Sequence, residues 1–172
     1  MILTGKEIEK RLGNDIVIRP FDSSQLNPNS YNLRLHNELL VYTGDILDSA
    51  KKNEVETITI PDEGLILEPG QLYLARTEEY TETRGLVPMI LGRSSIGRLG
   101  ISVHLTSGFG DIGFCGYWTL QLTCAKRVKV YPNMKICQIF YHEVLGEYEN
   151  YSSAKYQGSK EIVSSQLYKE FK

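Results

Sequence analysis

Apolar positions along this chain fall into two regimes. At the start, Thr4 followed three residues later by Glu7 makes a capping box, Ile8 and Leu12 supply one apolar face, and Gly13 ends the run. This spacing predicts one short N-terminal helix. From Ile16 onward the pattern becomes short alternating runs, at 16–19, 31–35, 39–42, 57–60, 72–75 and 89–91, and then at 101–105, 116–124, 128–131 and 136–144. Turn residues separate the earlier runs and Gly, Pro, Asn or Asp bound the later ones, and together they predict a mainly β sandwich or barrel without a second long helix.

Two turns echo one another. Leu67-Glu68-Pro69-Gly70-Gln71-Leu72 and Val130-Tyr131-Pro132-Asn133-Met134-Lys135 each join two strand-like runs, with Pro at the second turn position and Gly or Asn at the third, the signature of a type II turn. Such an internal echo suits a jelly-roll-like arrangement of two sheets. The tail, 147–172, has too little apolar periodicity to build core. Yet Tyr148, Tyr151, Tyr156 and Tyr168 give it too many aromatics for a disordered end, so it is expected to fold over a ligand or a neighbouring subunit.

Composition narrows the function. A chain of 172 residues with 41% hydrophobic content fits a single domain, 1–172, able to bury a core without staples. Nineteen Lys and Arg against 21 Asp and Glu give a net charge of −2, which is no field for a polymeric nucleic acid. The absence of a membrane-length apolar run and of signal-peptide features predicts a cytoplasmic protein with no membrane partner. Cys115, Cys124 and Cys137 lack any C-x-x-C or His in register and read as buried thiols, with a regulatory disulfide as the alternative. The H-x-E and P-C-x-x-C signature of zinc deaminases is missing too, so no zinc is expected.

The candidate chemistry lies in Arg93-Ser94-Ser95-Ile96-Gly97-Arg98. Two forked cations bracket two hydroxyls and a glycine whose backbone a ligand can approach, a set suited to a polyanion. Downstream, the stretch 106–116 is glycine-rich, carries one acid, Asp111, and runs into the alternating strand that holds Trp118, Thr119 and Leu120.

The run G-R-S-S-I-G-R-L-G-I-S-V-H-L-T, followed by D-x-G-F-x-G-x-x-T-L, resembles the dCTP deaminase branch of the dUTPase-like trimeric family. Asn27 to Leu35, Leu67 to Ala75 with Thr77-Glu78-Glu79, Lys135 to Ile139 and Ala154-Lys155-Tyr156-Gln157-Gly158 extend the likeness over nearly the whole chain. The resemblance implies a dUTPase-like fold, a homotrimer with shared sites, and binding of dCTP or dUTP with Mg²⁺ carried on the triphosphate, with dTTP as a possible inhibitor. It also assigns residues. Arg93, Ser94, Ser95, Ile96, Gly97 and Arg98 would hold the triphosphate, and Asp111 would sit near the deoxyribose and order water. Thr119 and Leu120 would read the pyrimidine edge by their backbone. Gln138, Tyr148 and Lys155 would contact the nucleotide, the last two from the closing segment 147–172. Ser107-Gly108-Phe109 is similar to the loop of members that both deaminate dCTP and cleave dUTP to dUMP, glycine leaving room for a second attacking water.

Departures from the family pattern matter most at Gln121. The family has T-L-E, whose glutamate moves protons during attack at C4 of cytosine; this chain has Thr119-Leu120-Gln121, of nearly the same shape but without a titratable proton. Three accounts follow: a dCTP deaminase carrying a natural or deliberate Glu-to-Gln change, a branch that kept dUTP cleavage and dropped deamination, or a non-catalytic nucleotide-binding module. Ser159 stands where the family has a Gln that reaches the ligand, Glu161 replaces a Gly, and Asn32 replaces an Asp. His104 reads as a core or interface histidine, His36 and His142 have no chemical company in sequence, and Trp118 reads as core or interface.

Overall fold

The computed structural model describes residues 1–106, 108–152 and 155–171; Ser107 and Ala154, used in the loop and tail motifs, lie outside them. The predicted helix is present as α1 (Gly5–Lys10), with the Thr4 hydroxyl accepting from the Glu7 amide at 3.2 Å. Its end comes earlier than Gly13 because Arg11 is the C-cap. The Arg11 guanidinium then ties Glu7, Asp15 and Glu143 together across the entry to the fold.

The rest is β structure. Its strands are β1 (Ile16–Arg19), β2 (Leu26–Asn27), β3 (Ser30–Tyr42), β4 (Val55–Thr59), β5 (Leu65–Leu67), β6 (Tyr73–Thr83), β7 (Leu86–Gly92), β8 (Ile101–Ser102), β9 (Cys115–Cys124), β10 (Val128–Val130) and β11 (Lys135–Glu143). The main sheet runs β7-β11-β3-β6-β9-β8, with β1 on β6 and both β2 and β4 on β3, while β5 and β10 form a separate antiparallel ribbon. The mainly β, barrel-like expectation holds. So does the echo of turns: Gly70 and Asn133 both have positive φ, 82° and 61°, and the strands before them, β5 and β10, pair with each other. The strands after them, β6 and β11, lie on either side of β3.

Two predicted strands are longer than their apolar alternation. The runs at 31–35 and 39–42 are one strand, β3, whose pairing with β6 shifts register between Leu35 and Leu39. The run at 72–75 continues to Thr83 because the inward face of β6 turns from Tyr73 and Ala75 to buried Thr77, Glu79, Thr81 and Thr83. These polar side chains serve the backbone where strands part. The Glu79 carboxylate accepts from the Arg34 amide at 2.8 Å and from Arg34 Nε at 2.7 Å, and the Thr77 hydroxyl accepts from the Trp118 amide at 3.2 Å. Thr81 takes the Trp118 indole N–H at 2.9 Å. Buried amides that lose a strand partner need another acceptor, and here side chains supply it.

The core is one cluster that includes Tyr31, Leu33, Leu35, Leu39, Leu67, Ile90, Leu120, Ile139 and Tyr141. Cys124 and Cys137 are buried and all three cysteines are free thiols. Among the described residues no helix is long and apolar enough to cross a membrane.

β7 and β8, the two ends of the sheet path, are joined by a single helical turn, α2 (Ser94–Arg98). The glycine-rich loop then lies along the free edge of β7: the Ile90 amide donates to the Gly108 carbonyl at 2.7 Å, and the Gly110 amide to the Pro88 carbonyl at 2.9 Å. Docking is close at Gly110, where a Cβ would stand 2.4 Å from the Trp118 ring and 2.9 Å from Pro88. Gly110→Ala should therefore destabilise the fold by about 1–3 kcal/mol through overpacking, read as a lower midpoint in chemical denaturation with an unchanged slope.

Candidate functional site

The segment 93–98, expected from the sequence to receive an anion, is a short helix rather than an open turn. Ile96 is its anchor, 4% exposed in the core, and Arg93 is its half-buried N-cap, with the guanidinium donating to the Lys135 carbonyl at 3.2 Å. Ser94, Ser95, Gly97 and Arg98 are left exposed. Arg93, Ser94 and Gly97 line a cavity of about 520 Å³, closed by Gly92, Ser102, Val103, His104 and Gly108. This volume is in the range of small-molecule sites. Gly108 has no room for a side chain, because a Cβ would stand 2.5 Å from the Ile90 carbonyl oxygen. Loop docking by itself thus demands glycine there.

A second cavity, of about 480 Å³, lies beside the first and shares Leu105 and Thr106 with it. Its walls carry Asp111, Thr119, Gln121 and Ser159 among aromatic rings that include Phe109, Phe114, Tyr117 and Trp118. Phe114 packs on Trp118 with centroids 4.5 Å apart. Flat apolar walls with a few polar groups suit a heteroaromatic ring. Asp111 is exposed at the cavity mouth, on the turn whose carbonyl caps the Phe114 amide.

β9 supplies the polar edge. The Gln121 amide donates to the Val103 carbonyl at 3.0 Å, so the backbone groups of residue 121, and by strand alternation those of Thr119, face away from β6. β8 pairs only as far as Ser102 with Thr123, so the Thr119 edge lies beyond the end of β8. The Thr119 carbonyl takes the Gln121 side-chain amide at 3.5 Å. Leu120 has the opposite parity and a fully buried side chain, and it lines neither cavity.

The tail packs along the same strand. Tyr117 and Ser159 exchange hydrogen bonds, backbone amide to Ser159 carbonyl at 3.0 Å and Ser159 hydroxyl to Tyr117 carbonyl at 2.9 Å, and the Val163 amide donates to the Thr119 hydroxyl at 3.2 Å. Gln157 bridges the Cys115 amide and the Gly113 carbonyl. Lys155 forms an ion pair with Glu170, and Tyr148 is exposed; neither lines these cavities. Gln138 also lies apart, its side-chain oxygen accepting from Ser30 at 2.9 Å in a polar chain that continues to Asn27 and Asn32. Asn32, out of pattern in the sequence, donates to the Gln25 carbonyl at 3.1 Å and to Asn27, a role that needs an amide rather than a carboxylate.

His104 is the residue that sequence reasoning undervalued. Its Nδ1 lies 3.1 Å from Gln121 Oε1, so the histidine of the first cavity and the glutamine of the second form the wall between them. The available signal was position: His104 follows directly on Val103, whose carbonyl takes the Gln121 amide just beyond the end of β8. Likewise His36, isolated in sequence, sits between Glu78 at 2.7 Å and Arg76 at 2.8 Å. Burial holds the His104 imidazolium below its ordinary range, with the Gln121 contact opposing only in part.

A histidine whose folded pKa is depressed contributes stability that is present above its unfolded value, about 6.5, and is lost as pH falls through the folded value. Between pH 7 and 5 the native protein should lose stability, and His104→Phe should flatten that part of the profile. Denaturation midpoints of the two proteins across this range provide the check.

Comparison with known proteins identifies the family. Residues 2–144 match the model of the dCTP deaminase-like family. The chain is 60% identical over 171 residues to a protein of Hathewaya histolytica named dCTP deaminase, dUMP-forming, and 62% identical over 171 residues to one of the same name from Cytophaga hutchinsonii, with 99% of both chains covered in each case. Among solved structures, the 2'-deoxycytidine 5'-triphosphate deaminase of Agrobacterium tumefaciens superposes with a TM-score of 0.64 at 20% identity, covering 81% of this chain and 47% of that one, a likeness of fold. Family model and full-length relatives agree, and the chain belongs to the dCTP deaminase-like family.

Proposed function

We propose that this protein hydrolyses pyrimidine deoxynucleoside triphosphates to dUMP, the product in the names of its relatives. The observation that carries the reading is the adjacency of two cavities, one edged by the Arg93 to Arg98 turn and one aromatic with Asp111, Thr119 and Gln121 in its wall. In this reading the exposed hydroxyls of Ser94 and Ser95 and the guanidinium of Arg98 receive the triphosphate. The pyrimidine enters the aromatic cavity, with the Thr119 edge reading it and residue 121 facing C4. Asp111 is the carboxylate that orders water for cleavage.

The described residues hold no cluster of three or more His, Cys, Asp or Glu able to cage a metal. A Mg²⁺ ion would therefore take most of its ligands from the phosphates and water, with Asp111 the carboxylate at hand, and would supply charge neutralisation. A homotrimer with shared sites accounts for the exposed apolar side chains on β7 and between it and β9, Leu91, Leu99, Leu105 and Phe109, all at least half exposed. In such a trimer Gln138, Tyr148 and Lys155 reach a nucleotide across the subunit boundary or on tail closure. dTTP, sharing the sugar and triphosphate, competes for the same groups. Cytoplasmic location fits a pool of free nucleotides.

One observation favours a second reading, in which cleavage is kept and deamination is weak. Deamination at C4 needs a group that takes and returns protons, and Gln121 has none. Parallel incubations with dCTP and with dUTP, assaying ammonia and pyrophosphate separately, decide between the readings. Ammonia from dCTP together with pyrophosphate supports the first; pyrophosphate from dUTP with little ammonia from dCTP supports the second, and Gln121→Glu should then raise ammonia release by about 10²–10⁴. If neither nucleotide binds at sub-millimolar concentration, the proposed function fails.

A further inference from the structure

We infer that Gln157 is a positioning residue for triphosphate cleavage: its side-chain amide fixes the turn that carries Asp111, although Gln157 itself lines neither cavity. The inference rests on the reading above, in which Asp111 orders the attacking water.

Asp111 to Phe114 form a turn in which the Phe114 amide donates to the Asp111 carbonyl at 3.2 Å, and Gly113, at the third position, has a φ of 87°. This is the type II pattern. Such a turn satisfies the carbonyl of its first residue and leaves those of Ile112 and Gly113 to find donors elsewhere. The tail supplies them. The Tyr151 amide donates to the Ile112 carbonyl at 2.6 Å, and Gln157 Nε2 donates to the Gly113 carbonyl at 2.8 Å. Gln157 Oε1 accepts from the Cys115 amide at 3.1 Å, and the Gly158 amide donates to the Cys115 carbonyl at 2.8 Å. Asn150 closes over the turn, where a Cβ on Gly113 would stand 3.0 Å from its Oδ1.

An amide suits both ends of this contact. A backbone N–H can only donate and a backbone carbonyl can only accept, so the oxygen of Gln157 must face Cys115 and its nitrogen Gly113. The same Nε2 stands 3.4 Å from the Tyr151 carbonyl, so one side chain braces both tail segments against the turn. A glutamate would set a carboxylate oxygen against two carbonyls, and a methionine would leave all three backbone groups without this partner. What the brace holds is functional in the reading above. Asp111 is exposed at the cavity mouth, so its carboxylate is placed by the backbone of the turn rather than by packing. A shift of about 1 Å in a group that orients a reactant can lower a rate on the order of 10²-fold. Ser159 and Val163 instead bond to β9, so the tail grips the strand and the turn through different residues.

A double-mutant cycle on dUTP cleavage by the full-length protein with Mg²⁺ tests this. Gln157→Met keeps the length of the side chain and removes both hydrogen-bonding ends, so kcat for pyrophosphate release should fall by about 10²-fold while KM stays near its original value. Asp111→Asn should lower kcat by itself. Adding Gln157→Met to it should lower kcat no further, because a residue that acts through Asp111 then has nothing left to position. The slow variants are read with enzyme in excess over dUTP, where a single turnover is visible. Should Gln157→Met fail to fold, Gln157→Glu, which keeps an acceptor for the Cys115 amide, carries the same expectation. A rise in KM with kcat unchanged, losses that multiply in the double variant, or full activity of the Gln157 variants overturns the inference and leaves the proposed function standing. An Asp111→Asn variant as active as the unaltered protein overturns the role given to Asp111 and the inference together.

Discussion

A buried carboxylate holds the point where the sheet divides. Glu79 is fully buried on β6, and its two oxygens take the Arg34 amide and the Arg34 guanidinium, both on β3. Burial pushes the Glu79 carboxyl above its ordinary range even with that guanidinium beside it. The arrangement persists because the alternative is worse: the register shift between Leu35 and Leu39 requires the Arg34 amide to find an acceptor other than a strand. Two residues earlier on β6, Thr77 does the same for the Trp118 amide. β3, β6 and β9 can then change partners without orphaning their backbones, and β9 is set in register to present Thr119 and Gln121.

What that division creates at the far side is a seam. The sheet path ends in two edges, β7 and β8, and unpaired edges invite pairing with another chain. Here they are covered by parts that bring their own chemistry. The glycine-rich loop bonds along β7, the single turn of α2 spans from one edge to the other, and the tail pairs with Tyr117 and Thr119 beyond the end of β8. Strand edges left free by short partners are where backbone donors and acceptors remain for a ligand, which is why both cavities open there.

Much of the frame was legible because alternation of apolar residues reports burial directly. The helix cap at Thr4, nearly every strand and the paired Pro-Gly and Pro-Asn turns follow from it. The signal failed where the buried face is polar: Thr77, Glu79, Thr81 and Thr83 read as solvent positions, though they face inward to serve the backbone. The one-turn helix at Ser94 was missed because five residues are too few for periodicity, and only Ile96 betrays an inward face. At the site, Asp111, Thr119 and Gln121 could be placed together from their resemblance to a family and do line one cavity. Ile96, within the segment assigned to the triphosphate, and Leu120, assigned through its backbone, both bury their side chains in the core. A motif match transfers positions, and the direction of each side chain comes from strand parity and packing. His104 escaped because its significance is a contact with a residue 17 positions away.

That contact also explains how the wall can hold a neutral residue where the family pattern read in the sequence, T-L-E, has a charged one. Two described contacts that hold residue 121 do not depend on its charge: the Val103 carbonyl takes its backbone amide, and one side-chain oxygen, present in Glu and Gln alike, meets His104. A carboxylate there would draw the half-buried imidazole toward its protonated form, giving an ion pair across the wall. The amide leaves His104 neutral and spares both groups the cost of desolvated charge. Shape and anchoring are thus shared by the two residue types, while proton transfer and hydrogen-bond polarity are not. A single side chain can therefore change the chemistry that this wall offers without disturbing the fold around it.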